Sequence, residues 1–177
     1  MKKIILMFLV VVFAQQISFA QKTLKVWVVR HAEKLAIDPK DRDPELSDEG
    51  KMRAEALAKL LKGQKIDSIF ATNYKRTKLT GFPLADKVGI SIKTYDPAQI
   101  KVLAKEWKKD AAGKNILIVG HSNTVLEIIE AFGGKRPVPE LTDDDYDYVF
   151  ELMVKGDKVE VKTNRYGAEH HTAATKK

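Results

Sequence analysis

The chain has 177 residues, of which 44% are hydrophobic, and its 31 lysines and arginines against 24 acidic residues give a formal net charge of +7. This length fits one domain of ordinary size, and the absence of cysteine excludes disulfides and a lipid-bearing cysteine. The positive excess favours an anionic substrate, but there is no arginine-rich stripe with interleaved aromatic residues, so we expect no nucleic-acid partner.

The first 20 residues have the pattern of a secretory signal peptide. Lys2 and Lys3 precede an unbroken apolar run over residues 4–14, and small residues flank a cleavage position after Ala20. The run is short for a permanent anchor, which needs about 20 apolar residues, although an uncleaved anchor is the alternative. We therefore expect an exported protein, periplasmic or secreted, with no stable membrane insertion after cleavage and a net charge lowered from +7 to +5 by loss of the two lysines.

Strand and helix patterns alternate four times along the rest of the chain. The predicted strands are 24–30, 66–72, 90–95 and 115–120, the predicted helices are 46–63, 75–89, 97–113 and 124–134, and a hairpin around Gly156 and Asp157 follows. This alternation is typical of a three-layer α/β/α sandwich with a mostly parallel central sheet. We assign residues 21–167 to this domain and residues 168–177 to a polar tail, expected to be disordered.

Local signals support two of the helices. In the first, Ser47 is placed to cap the N-terminus, and Met52, Leu57 and Leu60 belong to an apolar stripe at helical spacing. In the third, Trp107 is expected to pack in the core.

Ionisable side chains follow three of the predicted strands. Arg30 and His31 follow the first strand, Arg76 follows the second, and His121 follows the fourth. Ligands of open α/β sheets bind outside the carboxyl ends of the strands, so this arrangement predicts one site containing two histidines and two arginines. Guanidinium groups suit phosphate oxygens, and a neutral imidazole beside bound phosphate is a plausible nucleophile toward phosphorus.

Four stretches together resemble the histidine phosphatase, or phosphoglycerate mutase-like, superfamily. They occur in the family's order between residues 24 and 134: "VVRHAEK", "LSDEGKMRAEALAKLL", "IFATNYKRTKLTGFPLA" and "ILIVGHSNT". The resemblance implies that His31 becomes phosphorylated during the reaction. It further implies a phosphate pocket formed by Arg30, Arg76 and His121, with Asn123 and Thr124 as lesser contacts.

The acid that protonates the leaving group is not evident. Many family members place a glutamate after the second arginine motif, and this chain has "KTYDPAQIKVL" there instead. Asp96 and Glu33 are the two candidates. Asp96 has a purely structural alternative as the cap of the helix that starts at Pro97.

No metal or other cofactor is predicted. The acidic stretch "TDDDYD" at 142–147 is interpreted as a solvated turn rather than a metal loop, and His170 and His171 are not interpreted as a ligand pair. A zinc site formed by His31, Glu33 and His121 would be opposed by the neighbouring arginines.

These features predict a compact, exported phosphohydrolase that acts through a phosphohistidine on His31. Its expected partner is a phosphorylated substrate, with a small molecule favoured over a protein. A non-catalytic domain that binds a phosphate ligand or a partner, and a phosphomutase of the same superfamily, are the alternatives.

Overall fold

The computed structural model of this chain describes residues 22–171. The predicted signal peptide lies outside these residues. Within them, one sheet of six strands is covered by helices. The elements in chain order are β1 (Leu24–Arg30), α1 (Asp48–Leu61), β2 (Ser68–Ala71), α2 (Lys75–Val88), β3 (Ile92–Thr94), a 3-10 turn (Pro97–Gln99), α3 (Ile100–Asp110), β4 (Asn115–Gly120), α4 (Val125–Ala131), β5 (Tyr148–Lys155) and β6 (Lys158–Arg165). No helix in residues 22–171 is both long and apolar enough to cross a membrane.

The sheet is mixed, which corrects the prediction of a mostly parallel one. The strand order is β3-β2-β4-β1-β5-β6, and the first four strands in this order run parallel to one another. β5 pairs antiparallel with β1, and β6 pairs antiparallel with β5. The predicted hairpin therefore extends the parallel sheet. Its two-residue turn at Gly156, where φ is +60°, requires the two strands to run in opposite directions.

Helices cover both faces of the sheet, as the three-layer prediction requires. Along β1, Val26 and Val28 face one core and Trp27 and Val29 face the other, because successive strand residues point to opposite faces. Helices α3 and α4 cover the first face, and helices α1 and α2 cover the second. Trp107 of α3 packs against Phe70, with ring centroids 4.4 Å apart, so its expected core role is confirmed.

Helix α1 begins as predicted but buries a different face. The hydroxyl of Ser47 accepts a hydrogen bond from the Gly50 amide at 3.1 Å, which confirms the cap. Met52 and Leu60 are exposed, however, so the predicted apolar stripe is wrong at these positions. The side chain of Arg53 is turned inward instead, and a Cβ on Gly50 would lie 2.1 Å from the Glu33 carbonyl oxygen. This close approach sets the rotation of the helix.

The beginning of the predicted C-terminal tail contacts the domain. His170 donates from Nδ1 to Glu33 Oε1 at 2.8 Å, and His171 donates from Nδ1 to Asp147 Oδ2 at 2.6 Å. Residues 168–171 therefore differ from the expectation of disorder, because two buried carboxylates hold the two histidines. Residues 172–177 lie outside the described part of the chain.

Candidate active site

The sheet register brings the ends of three parallel strands together. Arg30 lies opposite Gly120 in the β1–β4 pairing, and Ala71 lies opposite Val119 in the β2–β4 pairing. The residues that follow these strands are consequently neighbours at one edge of the sheet. His31 and His121 approach to 5.2 Å between ring centroids.

His31 is buried and fixed in one tautomer. Its Nδ1 lies 2.8 Å from the carbonyl oxygen of Ala32, which can only accept a hydrogen bond. Nδ1 must therefore carry the proton, and Nε2 keeps a lone pair. The backbone amide of His31 donates to the Gly120 carbonyl at 2.9 Å, which fixes the residue at the end of the sheet.

Arg30 is held by the acidic stretch at 142–147. Its Nη1 donates to the carbonyl oxygens of Thr142 and Asp143 at 2.7 and 3.1 Å, and the Tyr146 ring stacks 3.9 Å from its guanidinium carbon. The carboxylate of Asp143 lies 3.5 Å from Nη2. This stretch is therefore more than the predicted solvated turn, because its backbone orients an arginine of the site.

His121 is oriented by two threonines that follow β2. Its Nε2 lies 2.8 Å from the Thr72 hydroxyl, which in turn lies 3.0 Å from the Thr77 hydroxyl. Thr124, predicted as a substrate contact, accepts a hydrogen bond from the His121 amide at 3.0 Å. Thr72 is not among the predicted site residues, although its position at the end of the second predicted strand is a usable signal.

Arg76 is less constrained than Arg30. Its guanidinium carbon lies 4.3 Å from the Tyr74 ring, and its Nη1 lies 3.7 Å from Asp43 Oδ1 and 3.4 Å from the Arg42 carbonyl oxygen. Its side chain is only 14% exposed. These contacts come from two loops, so the guanidinium can exchange a weak ion pair for an anionic ligand.

An open cavity of about 380 Å³ joins these groups. The predicted site residues that line it are Arg30, His31, Arg76, His121, Asn123 and Thr124. Lys34 also lines the cavity and adds positive charge, while Asp143 is the only carboxylate on its wall among the described residues. The cavity is suited to an anion the size of phosphate with an attached group.

Both histidines of the cavity are neutral near pH 7. Burial lowers the pKa of His31 to about 3, and the charges of Arg30 and Arg76 act in the same direction. Burial, followed by the same two arginines, lowers the pKa of His121 to about 4. A neutral His31 with a free lone pair on Nε2 is the form in which imidazole acts as a nucleophile.

Neither predicted acid lines this cavity. The Asp96 carboxylate accepts a hydrogen bond from the Ala98 amide at 2.9 Å and caps the 3-10 turn, as its structural alternative predicted. Glu33 is buried, and its carboxylate accepts from Arg53 Nε at 2.8 Å and from His170. Burial raises the pKa of Glu33, but the hydrogen bonds from Arg53 and His170 outweigh it and hold this pKa below its usual value. This environment is unsuited to a proton donor.

The described residues contain no group of three or more His, Cys, Asp or Glu side chains arranged to hold a metal ion. The conceivable zinc set of His31, Glu33 and His121 is not brought together, because Glu33 is bound to Arg53. The stretch at 142–147 likewise directs its carbonyl groups to Arg30.

A family model described as "Histidine phosphatase superfamily (branch 1)" matches residues 26–98, which include Arg30, His31 and Arg76. No protein of curated function matches the chain in sequence.

Solved structures share the fold at low sequence identity. The protein histidine phosphatase SixA complexed with tungstate has a TM-score of 0.65 at 15% identity, covering 80% of this chain and 96% of that chain. The putative phosphohistidine phosphatase SixA from Agrobacterium tumefaciens has a TM-score of 0.61 at 20% identity, covering 82% and 98%. A mycobacterial glucosyl-3-phosphoglycerate phosphatase has a TM-score of 0.61 at 13% identity, covering 84% and 100%.

Proposed function

We propose, from the match of residues 26–98 to the histidine phosphatase superfamily model, that the chain has the phosphatase or phosphomutase activity of that superfamily and is a phosphohydrolase using His31 as the nucleophile. The observation that carries the proposal is the state of His31. A buried, neutral imidazole has its Nδ1–H bonded to the Ala32 carbonyl oxygen, and it shares a cavity with two arginines. A histidine with a purely structural role does not require two arginines beside it.

In the proposed reaction, Nε2 of His31 attacks phosphorus and the bond from phosphorus to the leaving group breaks with its electron pair. Arg30 and Arg76 bind the phosphoryl oxygens, and His121 donates a hydrogen bond from Nδ1 as charge builds on them, with the Thr72 hydroxyl donating to its Nε2. Water then attacks the phosphohistidine, the P–N bond breaks, and inorganic phosphate and neutral His31 are released. The guanidinium groups supply the positive field in this scheme, so we propose that no metal takes part.

The cavity wall also favours a class of substrate. Asp143 is the only carboxylate on the wall among the described residues, and it is paired with Arg30. Alkyl phosphates leave as strongly basic alkoxides and need a proton donor, whereas phosphoramidates, phosphoanhydrides and aryl phosphates depart with less help. We propose substrates of the second kind. Phosphohistidine is such a phosphoramidate, and two proteins of similar fold are named a protein histidine phosphatase and a putative phosphohistidine phosphatase.

The test is a substrate screen with the purified protein. Free phosphoramidates and phosphoanhydrides form the small-molecule arm, in line with the expected partner, and a phosphohistidine-bearing protein forms the second arm. Alkyl and aryl phosphates serve as reference substrates. Turnover of phosphoramidates or anhydrides well above that of alkyl phosphates supports the proposal. Transfer of the phosphoryl group to a second position of a substrate would instead indicate a phosphomutase.

The missing acid specifically favours one other function, a non-catalytic domain that binds a phosphate ligand. Binding of inorganic phosphate without turnover of any substrate in the screen would establish it.

We also propose that the protein is exported. The signal-peptide pattern in residues 1–20 is its only support. Expression of the full chain in a bacterium, followed by fractionation and mass spectrometry of the N-terminus, tests it. A mature N-terminus at Gln21 in the periplasm or medium is expected, and retention of Met1 in the cytoplasm would contradict it.

A further inference from the structure

The C-terminal segment, residues 166–171, contacts the aromatic ring that stacks on the guanidinium of Arg30. The Tyr146 ring has Arg30 at 3.9 Å from its centroid and the His170 ring at 4.9 Å, tilted by 38°. Tyr146 therefore contacts both Arg30, on the cavity wall, and His170, in the C-terminal segment. Neither Tyr146 nor His170 is among the predicted site residues.

Hydrogen bonds tie this stack to both flanking segments. The Tyr146 amide donates to the His170 carbonyl at 3.0 Å, and the His170 amide donates to Asp147 Oδ2 at 3.3 Å. The His170 imidazole donates to Glu33, two residues beyond His31. His170 thus crosslinks the segment that follows β1 to the loop that holds Arg30.

Arg53 fastens the C-terminal segment in turn. Its Nη1 donates to the Tyr166 carbonyl at 2.9 Å and its Nη2 donates to the Ala168 carbonyl at 3.0 Å. The same guanidinium binds both carboxylate oxygens of Glu33. With Arg53 and Glu33 both buried, these charge-assisted bonds are strong and geometrically specific.

We propose that His170 is a positioning residue that holds Arg30, through Tyr146, in the orientation needed to bind phosphate. The phosphate role of Arg30 rests on the proposed function, whereas the mechanical coupling of His170 to Arg30 does not.

Restraint of Arg30 has a clear energetic benefit. A free arginine side chain loses rotamer freedom when it binds an anion, and a guanidinium that is already fixed loses less. Carbonyl groups of Thr142 and Asp143 hold Nη1, so Nη2 is left to exchange the exposed Asp143 carboxylate for a phosphoryl oxygen. The Tyr146 ring keeps the guanidinium plane from tilting away from these partners.

The experiment measures inorganic phosphate binding by calorimetry, far below the melting temperature of every variant. We expect Tyr146→Leu to raise the phosphate dissociation constant by about 3- to 30-fold, the range of a partly desolvated cation–π contact, and His170→Ala, which keeps the Tyr146 ring, to raise it by a smaller factor. His170→Asn keeps a donor to Glu33 but removes the ring beside Tyr146, so it should bind phosphate as weakly as His170→Ala, whereas His170→Phe, which keeps a ring there, should largely restore affinity. Glu169→Gln is the matched control, since the 84%-exposed Glu169 contacts only His171 among these residues, and it should bind as the wild type does.

A second measurement does not depend on phosphate. The Nε–Hε NMR signal of Arg30, assigned with Arg30→Lys, reports the Tyr146 ring current. This signal should shift in His170→Ala and Tyr146→Leu and stay unchanged in Glu169→Gln.

A His170→Ala protein with a lower melting temperature but an unchanged Arg30 signal and unchanged phosphate affinity would overturn the inference. A shifted Arg30 signal together with weakened phosphate binding supports it, even if no substrate is turned over. In that last case the proposed hydrolase function fails while the positioning role stands.

Discussion

His31 donates its Nδ1–H to the carbonyl oxygen of Ala32, the next residue along the chain, at 2.8 Å. A carbonyl of the adjacent residue cannot move away without distorting the backbone, so the tautomer is built into the loop. The lone pair of Nε2 is consequently available without any proton transfer. Since burial and neighbouring arginines keep the ring neutral, the protein presents a nucleophile that is ready before substrate arrives.

Replacement of His31 tests this relationship most directly. We expect His31→Ala to lower kcat by on the order of 10⁴-fold or more, because the proposed covalent intermediate forms on this side chain. The melting temperature should stay within a few degrees of the wild type. Steady-state rates and thermal melts give both numbers, and substantial residual hydrolysis in a folded variant would contradict the covalent route. Rapid acid-free quenching of the wild type with labelled substrate should trap an acid-labile, base-stable phosphoprotein.

The pKa values predict how stability depends on pH. His31 has a pKa of about 3 in the folded protein against an ordinary value of 6.5, so the unfolded state binds the proton more readily. Its contribution to stability is present above pH 6.5 and is lost as the pH falls toward 3. Each such group contributes a slope of at most about 1.4 kcal/mol per pH unit.

Urea unfolding of the wild type and His31→Asn between pH 7 and pH 4 measures this contribution. Asparagine can still donate to the Ala32 carbonyl but does not titrate in this range. The wild type should lose more stability than the variant on acidification. Equal losses would show that His31 protonates normally in the folded protein.

The cluster at the sheet edge was predictable because it needs little more than strand order. A strand followed by charged residues, three times over, places those residues together once the strands are parallel. The register confirms this for His31 and His121, whose rings come within 5.2 Å. The same rule identifies Thr72, although a threonine at the end of a strand is also typical of an ordinary turn.

Hydrogen bonds and ion pairs between residues far apart in the chain could not be predicted from the sequence. Glu33 was a candidate acid because it adjoins the site in the chain, yet its carboxylate is bound to Arg53, 20 residues away. Residues 168–171 looked like part of a free tail because they are polar, and nothing local shows that Glu33 and Asp147 are buried acceptors for two histidines. Charge pairing in the folded protein therefore determines both the environment of Glu33 and the placement of residues 168–171.

Asp43 is expected to compete with phosphate for Arg76. Its Oδ1 lies 3.7 Å from Arg76 Nη1 at a partly exposed position, where an ion pair is worth about 0 to 1 kcal/mol. Asp43→Asn should therefore tighten inorganic phosphate binding by up to about fivefold, since a ligand no longer displaces a carboxylate. Asp41→Asn, in the same loop, is the control. Calorimetry on both variants decides, and weaker binding in Asp43→Asn would mean that Asp43 orients Arg76 instead.

Activity is expected to survive removal of divalent metals. Arg30, Arg76 and Lys34 surround the cavity with positive charge, which is the role a bound cation would otherwise fill. Dialysis against a chelator should leave kcat/KM unchanged, and vanadate and phosphate should inhibit competitively. Loss of rate that zinc or magnesium restores would contradict this expectation and would make Asp143 and Asp144 candidate metal ligands.

Amide variants of Asp96 and Glu33 test whether either residue protonates the leaving group. General acid catalysis is worth about 100- to 10,000-fold, and its loss slows alkyl phosphates far more than aryl phosphates. Because Asp96 caps a turn and Glu33 is bound to Arg53 and His170, we expect neither Asp96→Asn nor Glu33→Gln to change the ratio of aryl to alkyl rates.

The two variants should differ in stability instead. Asparagine caps as well as aspartate, so Asp96→Asn should melt like the wild type, while Asp96→Ala should lose about 1 kcal/mol. Glu33→Gln leaves the buried Arg53 charge without its counter-ion, a loss of up to about 3 to 5 kcal/mol. Rates on a matched alkyl and aryl pair, measured beside urea unfolding, separate these effects. A hundredfold selective loss on the alkyl substrate in either variant would identify that residue as the acid, because a fall in stability alone slows both substrates equally.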